Sequence, residues 1–302
     1  TVRSFADLER WIREVDWDPW IGPEDRPRVR VTTRHSKLWH DGAVAERFTS
    51  VLGPGSEEGR EQLVVVRAVD DRFTVSVDSS GAPLHERGWR QATARAPLRE
   101  SVAAALLTAA RWDPTTPLVD PLCGSGTIAI EAALRATGAA PAGQRDLAFQ
   151  SWPGFKPGTW ASVIAEADRR VSEVGAVPPI VAADRDAGAI ESAQSNAQRA
   201  GVEDLIEWRR APIADLAPPT GVQAESGLLA TNPPWGGRVS GGDLRNLYAT
   251  LGRVAAERFA GWSLGVLVAD RGLARQVRPG LTEALDLELG GRRAWFLTGR
   301  VG

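Results

Sequence analysis

The sequence predicts an α/β protein in which a small α+β module precedes an open, mostly parallel sheet with helices on both faces. Three observations carry this. From Pro117 onward, short apolar runs alternate with helical patterns, as they do in parallel sheets. The stretch "VDPLCGSGT" (Val119 to Thr127) joins a buried strand to a helix through a tight glycine turn. The first 80 or so residues instead read as short strands and one helix.

Taken in order, "RVRVTT" (Arg28 to Thr33) alternates as a half-buried strand should. "GAVAERFTSVL" predicts a helix, with Asp41 placed to cap it. "QLVVVRAV" and "RFTVSVD" form an expected antiparallel pair around the acidic turn Asp70-Asp71. A connector over residues 81–115 then ends in the alanine-rich helix "APLRESVAAALLTAARW" (Ala96 to Trp112), with Pro97 near its start. Residues 116–302 form the second part. "PLVD", "PPIVAAD", "DLIEWRR", "GLLATN" and "SLGVLVAD" are its expected strands, and "RRAWFLTG" is expected to close the sheet. "GTIAIEAALRATG", "AGAIESAQSNAQRAG" and "LRNLYATLGRVAAERF" are its helices.

Composition excludes several classes. With 43% hydrophobic and 25% charged residues the chain has the make-up of a soluble globular protein. No apolar run approaches the ~18 residues of a membrane span, and no signal pattern opens the chain, so the expected location is the cytoplasm. Cys123 is the only cysteine, and His35, His40 and His85 lack metal-ligand spacing, so no metal site is expected. The net charge of −2 does not advertise a polyanion binder. Lys37 and Lys156 are the only two lysines among 36 basic residues. The chain begins at Thr1 and has no methionine, which suggests a trimmed start.

The glycine turn asks which ligand it serves. Gly124 and Gly126 allow close backbone approach, and the helix start after them favours an anionic group. A P-loop needs a lysine that is missing here. A dinucleotide site fits Gly124, Gly126 and Ala129, but its acidic partner should follow after about 20 residues, and Asp184 lies far beyond that. S-adenosylmethionine is the third reading, its carboxylate at the turn and its ribose on Asp184, which ends "IVAAD" where ligands of parallel sheets collect. Asp186 reads as a helix cap, and Asp120 also admits that reading.

"LLATNPPWGG" (Leu228 to Gly237) ends a strand in a carboxamide, two prolines and an indole. An exocyclic amine on a nucleobase is a poor nucleophile because its lone pair is delocalised into the ring. Two acceptors aimed at its hydrogens, the Asn232 side-chain oxygen and the Pro233 carbonyl, would draw the nitrogen towards a tetrahedral form. Pro233 and Pro234 stiffen that geometry, and Trp235 offers a stacking face for an extruded base. A sulfonium donor is already activated, so neither a metal nor a covalent nucleophile is needed.

With these residues in view, the chain resembles the THUMP-containing RNA guanine-N2 methyltransferases, particularly the bacterial group acting on large-subunit ribosomal RNA. The resemblance runs through "SGAPLHERGWR" (Ser80 to Arg90), "APLRESVAAALL", "DPLCGSGTIAIEAAL" (Asp120 to Leu134), "FQSWPGF" (Phe149 to Phe155) and "NPPWGGRV". It implies a class I S-adenosylmethionine-dependent methyltransferase (Rossmann-like) domain behind a partial THUMP-like domain over residues 1–80, whose opening portion is expected to be missing or reduced. It implies cofactor contacts from Asp120, Pro121, Cys123, Gly124, Gly126, Thr127, Asp184 and Arg185, with the loop at Ala96 and Pro97 nearby. Asn232, Pro233, Pro234 and Trp235 would hold the target base. The family's tetrad usually ends in tyrosine. The acid that usually meets the adenine amine is replaced by Ala211, for which Asp215 or backbone is the expected substitute, and Gly237 stands where a glutamate is common.

Structured RNA, ribosomal rather than transfer RNA, is the partner this resemblance implies. Arginines agree with it: Arg26, Arg28, Arg30, Arg34 and Lys37 cluster on one strand and its turn, and Arg87, Arg90, Arg95 and Arg99 on the connector. Other readings compatible with the residues are a tRNA guanine-N2 transferase, an adenine-N6 nucleic-acid transferase, a nicotinamide dehydrogenase, and a decayed RNA-binding protein.

Overall fold

The computed structural model describes all of the chain except residues 92–97, 142–144, 220–225, 237–240 and 279. In chain order the elements are α1 (Phe5–Glu14), β1 (Arg26–Arg34), α2 (Asp41–Leu52), β2 (Glu61–Val69), β3 (Arg72–Val77), α3 (Glu100–Ala109), β4 (Leu118–Asp120), α4 (Thr127–Ala136) and α5 (Pro157–Glu173). They continue with β5 (Ile180–Asp184), α6 (Ala187–Arg199), β6 (Ile206–Arg210), β7 (Leu228–Thr231), α7 (Gly241–Arg258), β8 (Ser263–Val268), α8 (Arg271–Val277), β9 (Thr282–Leu289) and β10 (Arg292–Arg300). Two compact units emerge. The first is residues 1–83 with 145–164, and the second is 84–144 with 165–302. The excursion 145–164, which a simple division at residue 116 assigns to the second half, thus belongs with the front unit.

The front unit is a three-stranded sheet in the order β1-β2-β3, with β1 parallel to β2 and β3 antiparallel to it. Its core is one-sided: Leu8 and Ile12 of α1, Val44 and Phe48 of α2, and Val64 and Val66 of β2 pack together. Burying each such side chain is worth ~1.5–3 kcal/mol. Helix α1 lies where the sequence pattern predicts none, although Ser4 caps it by accepting from the Asp7 N–H. The cap of α2 is His40, which accepts from the Ala43 N–H at 3.2 Å, not Asp41. Asp41 sits in the first turn, where a carboxylate suits the helix dipole, and it accepts from the Thr33 hydroxyl at 2.7 Å. On β1, Arg26, Arg28, Arg30 and Arg34 fall on one face by strand alternation and are exposed.

The second unit carries a seven-stranded sheet in the order β6-β5-β4-β7-β8-β10-β9. Strands β6 to β8 pair in parallel, whereas β10 runs antiparallel to both of its neighbours. This is the class I methyltransferase arrangement. Strand β10 does not close the sheet as expected. The edge is β9, whose polar-rich "TEALDLEL" is only half-buried and so lacks the apolar run that marks a strand in sequence. The chain starts at the central β4, steps outward to β5 and β6, then returns to the other side of β4 as β7. That reversal opens a crevice at the carboxyl ends of β4 and β7. The sheet is coated on both faces, one by a core around Leu107, Ile130, Ala182 and Phe296, the other by one around Val181, Leu229, Tyr248 and Phe259. No helix among the described residues is long and apolar enough to cross a membrane.

Candidate active site

The carboxyl ends of the central strands open into a cavity of about 1260 Å³. Asp120, Cys123, Gly124, Thr127, Asp184 and Arg185 line it from one side, and Asn232, Pro233, Pro234 and Trp235 from the other. The residues that the sequence reading drew from three separate stretches therefore share one space.

The glycine turn is built as a ligand cradle. Gly124 has φ +53°, which disfavours a side chain, and the space where its Cβ would lie is open to at least 4 Å. Gly126 serves packing instead: its φ is +81°, and a Cβ there would stand 2.9 Å from Ala193 of α6. The turn is laced to its neighbour by the Cys123 N–H donating to the Ala183 carbonyl at 2.9 Å. Asp184 ties it further, since its carboxylate accepts from the Gly124 N–H at 3.1 Å and from the Asp186 N–H at 3.0 Å. The Gly124 N–H is thus already engaged, which leaves the start of α4 at Thr127 to receive an anion. Asp186 caps α6 as expected, accepting from the Gly188 N–H.

Asp120 is not a helix cap. It is buried at the end of β4, where its carboxylate accepts from the Leu122 N–H at 3.3 Å. Burial pushes its pKa up to about 7, the Thr231 hydroxyl and the Leu122 N–H hold it back, and the charge of Asp184 adds to the rise. Burial likewise raises the Cys123 thiol well above its ordinary value.

On the other wall, Asn232 follows β7 directly, and its Oδ1 is buried with no hydrogen-bond partner among the described residues. Leaving an amide oxygen unsatisfied costs ~1–3 kcal/mol, so Asn232 has an acceptor for which the described residues supply no donor. Its neighbours are held fast. The Trp235 indole N–H donates to the Leu267 carbonyl of β8 at 3.2 Å, which sets the ring's orientation while leaving it half-buried on the cavity. The Pro234 carbonyl accepts from the Tyr248 hydroxyl at 3.3 Å. Tyr248, the chain's one tyrosine, is buried in α7, and burial together with the charge of Asp270 raises its pKa.

Several expectations fail here. Arg87 and Arg90 do not face outward: the Arg87 Nε lies 2.7 Å from Glu131 and the Arg90 Nη2 3.2 Å from Glu100, both pairs deeply buried. Arg90 also donates to the Thr127 hydroxyl at 3.2 Å and to the Leu98 carbonyl. These arginines pin the connector to α3 and α4. Burial pushes Glu131 up to about 7, with the Arg87 charge opposing it. Asp215 is exposed and is not among the lining residues; Pro212 and Ile213 line the cavity at that position. Pro121 is buried behind the turn and is not among the lining residues either. Ala96 and Pro97, expected near the cofactor, and Gly237 lie outside the described residues, as does Arg95.

Sequence reasoning missed the rest of the wall. Asp243, Asn246, Leu247 and Thr250 line it from α7 at the i, i+3, i+4, i+7 spacing of one helix face, a signal that was there to be read. Leu289, Gly290 and Arg292 line it from the β9–β10 hairpin.

The model of the family described as "RMKL-like, methyltransferase domain" matches residues 87–285. This chain belongs to that family. A Synechocystis protein named "Putative RNA methyltransferase slr0064" is 33% identical over 92% of this chain and 75% of its own length. "Ribosomal RNA large subunit methyltransferase K/L" of Marinobacter nauticus is 40% identical over 88% of this chain but only 39% of its own length. The chain therefore spans well under half of that relative. Among solved structures, SMU.472, described as "a putative methyltransferase complexed with SAH", superposes with a TM-score of 0.87 at 26% identity over 100% of this chain and 81% of that one.

The cofactor of this RMKL-like domain is S-adenosylmethionine. The cavity suits it: the open cradle at Gly124 and the start of α4 fit the amino-acid end, and the Asp184 carboxylate fits ribose hydroxyls. Where the family's usual acid is replaced by Ala211, Pro212 and Ile213 line the cavity with apolar surface.

Proposed function

We propose that this RMKL-like methyltransferase modifies the exocyclic N2 amine of a guanine in structured RNA, with large-subunit ribosomal RNA as its substrate. The observation that carries the reading is the unpartnered, buried Asn232 oxygen on the cavity that also holds Gly124 and Asp184. The names of the curated relatives support RNA, and the ribosomal large subunit in particular.

When bound, S-adenosylmethionine supplies a methyl group already activated on a sulfonium. The protein's task is the other reactant. Asn232 Oδ1 and the Pro233 carbonyl accept the two amine hydrogens, so the nitrogen lone pair turns out of conjugation and towards the donor. Trp235, held by Leu267, stacks on the extruded base, which the stack of an RNA helix would otherwise keep out of reach. Tyr248 holds the Pro234 carbonyl and so the turn that aims both acceptors. Residues 1–80 serve as a partial THUMP-like domain that meets RNA phosphates through the exposed Arg28, Arg30, Arg34 and Lys37.

Mapping N2-methylguanosine in RNA from cells with and without this protein tests the reading. The expected result is one ribosomal position that loses its methyl group and regains it with the parent gene but not with Asn232→Ala. Unchanged maps would remove the proposal, and a lost mark in tRNA would redirect it.

A further inference from the structure

We propose that the lip of the cavity at Arg292 is a phosphate subsite for the nucleotide that enters beside Trp235; this rests on RNA being the substrate. Arg292 follows the two-residue turn Gly290–Gly291 of the β9–β10 hairpin and lines the cavity with Asn246 and Thr250 of α7. Its neighbours are spoken for. Arg271 pairs with Glu283 and lies 4.6 Å over the Trp295 ring, and Arg293 pairs with Asp286 and lies 5.5 Å over the same ring. Arg292 is exposed and has no ion-pair partner among the described residues.

The cofactor gives this guanidinium no task. S-adenosylmethionine carries no phosphate, its single carboxylate is provided for at the start of α4, and its ribose side already has Asp184 with Arg185 beside it. The cavity of about 1260 Å³ also exceeds the ~300–1,000 Å³ usual for one small ligand, which leaves room for a second reactant. A guanidinium fits a phosphate diester through two parallel N–H donors, and that charge-assisted geometry is the strongest contact an exposed side chain offers it. Arg292 therefore fixes the backbone of the extruded nucleotide while Asn232 and Pro233 hold its amine.

The test compares the parent with Arg292→Ala and Arg292→Lys, using large-subunit ribosomal RNA from cells that lack the protein as methyl acceptor over a range of salt. Arg292→Ala should raise KM for RNA about tenfold, with kcat at saturating RNA and affinity for S-adenosylhomocysteine unchanged. It should also reduce the slope of log affinity against log salt by about one, and Arg292→Lys should keep most of that slope. An unchanged KM and slope in Arg292→Ala, beside an active parent, overturns the subsite alone. A parent that binds S-adenosylhomocysteine yet methylates none of the RNA overturns the functional reading and the subsite with it.

Discussion

The two walls of the cavity are built on opposite plans. On the side of the glycine turn both carboxylates are tied into the fold: Asp184 holds two backbone N–H groups, Asp120 holds a third, and the turn is laced to β5. On the tetrad side the scaffold is tied but one acceptor is not, because Trp235 and Pro234 are anchored while the Asn232 oxygen has no partner among the described residues. A wall that receives an unreactive portion of its ligand can satisfy itself when empty. Under the proposed reaction, a wall that grips a group in its transition state would keep its acceptor free and place rigidity one residue away, so that strength is reserved for the moment of reaction.

The largest expected effect breaks this contrast most directly. Asn232→Ala should lower kcat by about 10²–10³-fold while leaving S-adenosylhomocysteine affinity, read by calorimetry, at the parental value. A loss of cofactor affinity instead would mean that the two walls are not separate. Asp184→Ala should do the reverse and weaken S-adenosylhomocysteine binding by roughly 10–100-fold. Tyr248→Phe sharpens the comparison, since it removes one hydroxyl from behind the tetrad: kcat should fall several-fold, about the worth of one hydrogen bond, with KM and cofactor affinity held. If Tyr248→Phe changed only thermal stability, its contact with Pro234 would be mere packing.

The last effect is on stability rather than rate, and it is read through pH. Asp120 stands near 3.8 when unfolded and at about 7 when folded, so the folded protein takes up its proton more readily. The stability this adds is complete below the unfolded value and is lost as pH rises towards about 7; Glu131, also held at about 7, acts in the same direction. Urea midpoints should therefore decline across that interval, and Asp120→Asn should flatten the part due to Asp120.

What the sequence disclosed follows what is local. "VDPLCGSGT" and "IVAAD" were legible because a buried strand meeting a glycine turn has few uses, and "NPPW" because prolines end a strand abruptly. The parallel pairing of β1 with β2 was not legible, since it joins residues 35 apart with a helix between them. Neither was the fate of Arg87 and Arg90: a charged residue on a connector looks solvated until its buried partner, Glu131 or Glu100, is known to lie beside it. The α7 face could have been found from its spacing, but four polar and apolar residues on one side of a helix announce no chemistry until a cavity is seen against them.

The excursion of residues 145–164 carries a practical consequence. Phe149, Trp152, Phe155 and Trp160 form one aromatic cluster there, and the Trp152 indole N–H donates to Gln62 of β2 at 2.9 Å. The polypeptide thus passes from one unit to the other three times, near residues 84, 145 and 165. Neither unit can be excised by a single cut or shuffled as a cassette. A proteolytic product starting at Leu84 would retain these four rings without their native seat and would tend to precipitate.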